Sequence, residues 1–119
     1  MDRFHQLEDY ILFLFLHLAS VDGSLHPNER ETILEKMEEL FPENSHVEEK
    51  LNTLDAEYRK LGFSAAEELL TEGWPSFASM GNEMKAELYA DLFDIINSDA
   101  RVNEEETRVL KIFKPWLTS

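Results

Sequence analysis

Two short acidic motifs are the parts of this chain whose residue types and spacing could do chemistry. Asp22 is followed seven positions later by Glu29, and Asp99 is followed by Glu106 at the same distance. Carboxylate oxygens are the ligands that hard cations such as Ca²⁺ and Mg²⁺ prefer, with backbone carbonyls and water completing the shell. The motifs could therefore hold a divalent cation, although each is shorter than the ~12-residue EF-hand loop and lacks its repeated acidic positions.

The same four residues have an alternative role in ordinary helix chemistry. An Asp at the end of a helix can accept backbone N–H groups of the turn that follows it. A Glu three positions after an N-cap residue can close a capping box at the start of the next helix. By this interpretation Asp22 and Asp99 hold turns, and Glu29 and Glu106 are capping residues. Both interpretations remain open at the level of the sequence.

A second acidic group is spaced along one predicted helix. Its members stand three or four residues apart, and they are Glu83, Glu87, Asp91 and Asp94. That spacing places them on one helix face, where like charges repel by roughly a few tenths of a kcal/mol per pair. One interpretation is a solvated face. The other is a docking surface for a basic partner helix or a supplementary cation site.

Other catalytic and metal-binding patterns are missing from the sequence. The four histidines show no metal-ligand spacing, and there is no cysteine. No glycine-rich phosphate loop, Gly-x-Ser-x-Gly elbow or catalytic dyad is present. The sequence therefore predicts a protein that is not an enzyme, unless carboxylates alone assemble a site.

Charge and composition restrict the classes of partner. The 119 residues include 25 acidic and 11 basic ones, for a net charge of −14. Such a field repels phosphate backbones and anionic lipids, so we expect no nucleic-acid partner and favour a protein partner with a basic surface. The apolar run Ile11 to Leu16 is flanked by charged residues and is far shorter than the ~20 residues of a membrane span, which predicts no membrane insertion. The lack of cysteine agrees with a cytoplasmic location.

Helix is the only strong secondary-structure signal, because apolar residues recur at intervals of three and four. The first helix is predicted from about Asp2 to Ser20, with an apolar face wide enough to make it the central helix. Cap residues predict further helix starts near Pro27, His46, Ala65 and Glu104, and the pairs Ser45 with Glu48 and Ser64 with Glu67 look like capping boxes. Helix stops are predicted at Gly23, at Phe41-Pro42, at Gly62 and at Gly73-Trp74-Pro75, and another helix is predicted over Glu83 to Ser98.

The two acidic motifs belong to an internal repeat. Residues 16–33 align with 93–110 at a constant offset of 77 without a gap. Each copy is an apolar helix, an Asp, a short turn and a second helix. We therefore predict a single all-α domain, a compact bundle of about six helices with repeat one at about 4–40, a helical insert at 45–72 and repeat two at about 82–117. Packing the two hairpins face to face with pseudo-twofold symmetry would bury Leu25 and Val102.

The repeated phrase resembles the signature of a known family. Residues 19–25, Ala-Ser-Val-Asp-Gly-Ser-Leu, with Glu29, and residues 96–102, Ile-Asn-Ser-Asp-Ala-Arg-Val, with Glu106, are similar to the TerB-like (tellurite-resistance protein B) family. The resemblance implies an all-α fold with the motifs facing each other, a bacterial intracellular setting, and a role in tellurite resistance or a general stress response. It also implies Asp22, Glu29, Asp99 and Glu106 as metal ligands. The second motif departs from the pattern at Ala100, where glycine is preferred.

The sequence thus predicts a non-enzymatic TerB-like helical domain that acts through protein contacts, with Ca²⁺ or Mg²⁺ as a regulator. The alternative is a carboxylate-metal hydrolase, in which acidic residues of both repeats hold a metal that activates water.

Overall fold

Six α-helices form the computed structural model of the protein, which describes residues 7–20, 25–42, 46–97 and 104–118. They are α1 (Leu7–Ala19), α2 (Pro27–Leu40), α3 (Val47–Leu61), α4 (Phe63–Phe77), α5 (Asn82–Asn97) and α6 (Glu104–Thr118). The described residues contain no strand, and the helices pack into one body of 32 × 30 × 27 Å. The predicted all-α bundle of about six helices is confirmed.

Helix α1 is the centre of the bundle. Every residue from Tyr10 to Ala19 is buried, and α1 contacts each of the other five helices. Burying a Leu, Ile or Phe side chain stabilises a fold by about 1.5–3 kcal/mol, so this segment is the largest single source of hydrophobic stabilisation. The prediction of a central first helix is confirmed, while its first residues, 1–6, lie outside the described part. Among the described helices, none combines the length and hydrophobicity that a membrane span requires.

The two hairpins of the predicted repeat, α1–α2 and α5–α6, pack against each other. Helix α1 contacts α5 and α6, α2 contacts α5, and no contact joins α2 to α6 within the described residues. If α1 is exchanged with α5 and α2 with α6, the same pairs of helices remain in contact. The pseudo-twofold hypothesis requires this symmetry. Leu25 is partly buried against the core, whereas Val102 lies outside the described residues.

Two predicted helix caps differ from the structure. Helix α2 begins at Pro27 as expected, but the side chain of His26 makes no capping hydrogen bond. Helix α4 begins at Phe63, so the predicted start at Ala65 and the predicted capping box of Ser64 are wrong. The reason is Gly62, whose φ of 83° is open to glycine and strained for other residues. Gly62 ends α3 and begins α4 by itself, which leaves Ser64 inside the helix.

The predicted helix stop at Gly73-Trp74-Pro75 is also wrong. Helix α4 continues to Phe77 with Pro75 inside it. Aromatic packing explains the continuation: Trp74 stacks on Trp116 with centroids 5.1 Å apart, and Phe77 lies 4.6 Å from the ring of Tyr10. Pro75 sits in the last turn, where the loss of one backbone hydrogen bond is offset by these contacts.

Candidate functional site

The two acidic motifs lie mostly outside the described residues. Asp22 and Asp99 are in the segments 21–24 and 98–103, which the structure does not describe. Glu106 is in the first turn of α6, and its side chain is likewise outside the description. Glu29 lies in the first turn of α2 and is fully buried. No group of three or more His, Asp or Glu side chains in the described part of the chain is arranged to hold a metal ion. A cation site built on the two motifs stays a prediction.

The described residues do form a broad acidic surface where α2 and α5 lie side by side. We call it the acidic face, and its exposed carboxylates are Glu35 and Glu39 of α2 with Glu83, Glu87 and Asp94 of α5. Lys36 joins the two helices, because its Nζ lies 2.8 Å from Oδ2 of Asp94 and 3.6 Å from Oδ1 of Asp91. These five exposed carboxylates outnumber the partly buried lysine that joins the two helices, so the surface is strongly negative.

Asp91 differs from the other members of the predicted stripe because it is buried. Only 5% of the residue is exposed, so the prediction that it contributes to a partner surface is wrong. Its position next to the core residues Leu88, Leu92 and Ile95 on one helix turns its carboxylate inward against α2. Its Oδ2 accepts no hydrogen bond within the described residues.

The surroundings of Asp91 raise its pKa to about 6. Burial is the largest cause, since it penalises the charged form of the carboxyl group. The positive charge of Lys36 acts in the opposite direction, while the negative charges of Glu87, Glu39 and Asp94 raise the pKa further. Burial therefore dominates the raised pKa of Asp91, and three carboxylates of the acidic face contribute to it.

A second buried polar group lies on the other side of α1. His17 is fully buried, and its Nδ1 lies 3.0 Å from the hydroxyl oxygen of Tyr58 on α3. Its ring stacks on Phe63 of α4 with centroids 4.5 Å apart and meets the edge of the Phe113 ring of α6. Burial lowers the pKa of His17 to about 4, so the ring is neutral at physiological pH. His17 thus joins four helices, α1, α3, α4 and α6.

The outer surface of the α5–α6 hairpin combines charge with exposed apolar side chains. Phe93 of α5 is 42% exposed and Ile112 of α6 is 43% exposed. The exposed basic residues of α6 are Arg108, Lys111 and Lys114. Although the whole chain is acidic, residues 107–119 contain these three basic residues and no acidic one. The exposed charges described on α5 are thus mostly acidic, whereas those of α6 beyond its first turn, which holds Glu104, Glu105 and Glu106, are basic.

No protein-family model, curated protein or solved structure matches this chain.

Two structural features described above were not predicted from the sequence. The buried contact between His17 and Tyr58 joins positions 41 residues apart, and no local spacing indicates such a pair. The basic segment of α6 had a visible signal, the lack of acidic residues after Glu106, which the net charge of the whole chain concealed.

Proposed function

We propose that this chain is a non-enzymatic, TerB-like helical domain of the bacterial cytoplasm that binds a basic protein partner through the acidic face. The proposal includes a role in tellurite resistance or another stress response, with Ca²⁺ or Mg²⁺ at the two acidic motifs as a regulator. The acidic face is the observation that carries the binding part of this proposal.

Three properties of the acidic face favour a partner over simple solvation. It extends over two helices rather than one, so it has the width that a bound helix or loop needs. Two of its members, Glu83 and Glu87, make no ion pair with any described residue and are free to pair with basic side chains. The negative charges of Glu87, Glu39 and Asp94 add to the effect of burial in raising the pKa of Asp91, and a negative field of this kind speeds association with a positively charged protein.

Affinity capture from the host with matched charge reversals tests the binding part. The chain, the variant E83K/E87K and the control variant E68K/E72K are compared as baits. The control changes two exposed glutamates with the same spacing on α4, so it alters the net charge equally and leaves the acidic face intact. We expect the same partner on the wild-type chain and on E68K/E72K, its release by salt of about 0.5 M, and its loss from E83K/E87K. Undiminished capture by E83K/E87K contradicts the proposal.

The regulator is tested separately by calorimetric titration with Ca²⁺, Mg²⁺ and Mn²⁺, together with elemental analysis of the natively purified chain. Binding that weakens in the variants D22N and D99N is the expected result. A lack of heat with all three cations would remove the regulator from the proposal and leave the acidic face as a partner site.

A further inference from the structure

The outer face of the α5–α6 hairpin is complementary to itself, and we infer that it binds a second copy of this chain. In the resulting dimer, α5 of each copy lies on α6 of the other. This inference goes beyond the proposed function, because the occupant is a second copy and the interface includes the basic surface of α6.

The relative direction of the two helices follows from contacts at one end of the hairpin. Trp74 at the end of α4 meets Lys85 in the first turn of α5, with Nζ 5.9 Å from the ring centroid, and stacks on Trp116 in the last turn of α6. The beginning of α5 and the end of α6 are therefore neighbours, and the helices are antiparallel. Phe93 lies eight residues after Lys85, and Arg108 lies eight residues before Trp116. The two residues are therefore at the same level along the hairpin axis.

The exposed charges described on the two helices are mostly opposite in sign. The exposed charged residues of α5 on this side are mostly acidic, and those described on α6 are all basic. Glu83 and Glu87 of α5, like Arg108 and Lys111 of α6, make no ion pair with another described residue. Each helix therefore carries charges that the other helix of a second copy can neutralise.

Apolar side chains supply the centre of the proposed interface. Phe93 and Ile112 are the two large apolar side chains that stand exposed in the described part of the chain, and they lie on the two helices of one hairpin. Ala90 and Ala86, one and two turns from Phe93, are exposed and small, so they permit a partner helix to approach α5 closely. Aromatic and aliphatic anchors inside a charged rim are the usual composition of a specific interface.

Symmetry then selects one arrangement. A twofold axis perpendicular to the helices would place α5 on α5 and bring like charges together. A twofold axis parallel to the helices places α5 on α6 of the second copy, keeps the two antiparallel, and preserves the level of every residue along the axis. Ala90 then lies level with Lys111 of the second copy, which is about 4.5 Å along the axis from Glu87, and Phe93 lies level with Arg108, one residue from Asp94.

The area of the hairpin limits the affinity. Helix α5 has 16 residues and is about 24 Å long, and two packed helices are about 20 Å wide. The face is thus about 480 Å² per copy, which for two copies is near the lower limit of ~1,000 Å² for a specific interface. We expect a reversible dimer with a dissociation constant of about 1–100 µM.

Sedimentation velocity on the purified full chain tests the inference. The expected mass rises with concentration from 13.9 kDa towards twice that value. Both E83K/E87K and R108E/K111E should weaken self-association by roughly tenfold or more, because each reversal acts at two symmetric contacts. Substituting Phe93→Ser should weaken it as well, while E68K/E72K should not.

Two comparisons separate the interface from a general effect of net charge. The variants E83K/E87K and R108E/K111E change the net charge in opposite directions, so a general charge effect would strengthen one association and weaken the other. Mixed together, the two variants should form a heterodimer with wild-type affinity, because each supplies the charge that the other lacks. A chain that stays monomeric at all concentrations, or variants that associate as the wild type does, would overturn the inference. Either result leaves capture of a different basic partner by the acidic face unaffected.

Discussion

Replacing Asp91 by asparagine should stabilise the protein at neutral pH, which is an unusual result for a buried residue next to a lysine. In the folded protein the pKa of Asp91 is raised from 3.8 to about 6, so folding is disfavoured once the carboxyl group ionises. About 2 pKa units at ~1.4 kcal/mol each correspond to about 3 kcal/mol. Asparagine removes the charge but keeps a polar amide and loses the attraction of Lys36, so we expect a gain of about 1–2 kcal/mol at pH 8.

The sign of the pH dependence distinguishes this account from ordinary repacking. Because the folded state holds the Asp91 proton up to higher pH than the unfolded chain does, this group makes the wild-type protein less stable as the pH rises from about 4 to about 6. The advantage of Asp91→Asn should therefore be large at pH 8 and nearly vanish at pH 4. Urea unfolding at the two pH values, followed by the near-ultraviolet circular dichroism of the stacked pair Trp74 and Trp116, measures both differences.

Asp94→Asn is the matched control, because Asp94 is exposed and also contacts Lys36, at 2.8 Å. Removing this surface ion pair should cost no more than about 1 kcal/mol at pH 8. If Asp91→Asn destabilises the protein at pH 8, or changes its stability equally at pH 4 and pH 8, the burial of an ionised Asp91 is refuted.

Two further stability predictions follow from described contacts. The pKa of His17 is about 4 in the folded protein against 6.5 for an ordinary histidine, so the wild-type protein becomes less stable as the pH falls from about 6.5 to 4. The double substitution His17→Phe with Tyr58→Phe should reduce this loss of stability by up to about 3 kcal/mol. Thermal melts of both proteins at pH 7 and pH 4 measure it; parallel shifts with pH would show that His17 is not responsible. Gly62→Ala should destabilise by about 1–2 kcal/mol because of its positive φ, although a Cβ there meets nothing within 4 Å. Gly81→Ala, equally open and without a positive φ, should be neutral or slightly stabilising in the same urea titration, and equal losses at both sites would contradict the argument.

Sequence patterns predicted the helices well because each pattern is local. The apolar width of the first helix indicated its central place, and Pro27 and Gly62 marked helix ends through their own backbone preferences. The errors arose where distant residues decide the outcome. Helix α4 passes Pro75 because Trp74 and Trp116 stack, and these two residues are far apart in the sequence.

The negative charge of the candidate site could be predicted from the sequence, but the burial of Asp91 could not. Periodicity placed Asp91 on one helix face with three other acidic residues. Whether a residue at the border of that face is buried depends on how closely the neighbouring helix approaches, and here α2 covers Asp91 and brings Lys36 against it. No spacing within α5 contains that information.

The position of α1 at the centre has a consequence for the order of synthesis. Its buried segment, Tyr10 to Ala19, is translated before α6, which supplies Phe113 to the same core roughly a hundred residues later. With translation at about 5–20 residues per second, the most apolar segment of the chain waits several seconds for its last neighbour. During that interval α1 is a natural substrate for ribosome-associated chaperones. Folding can be completed only after the last helix has left the ribosome.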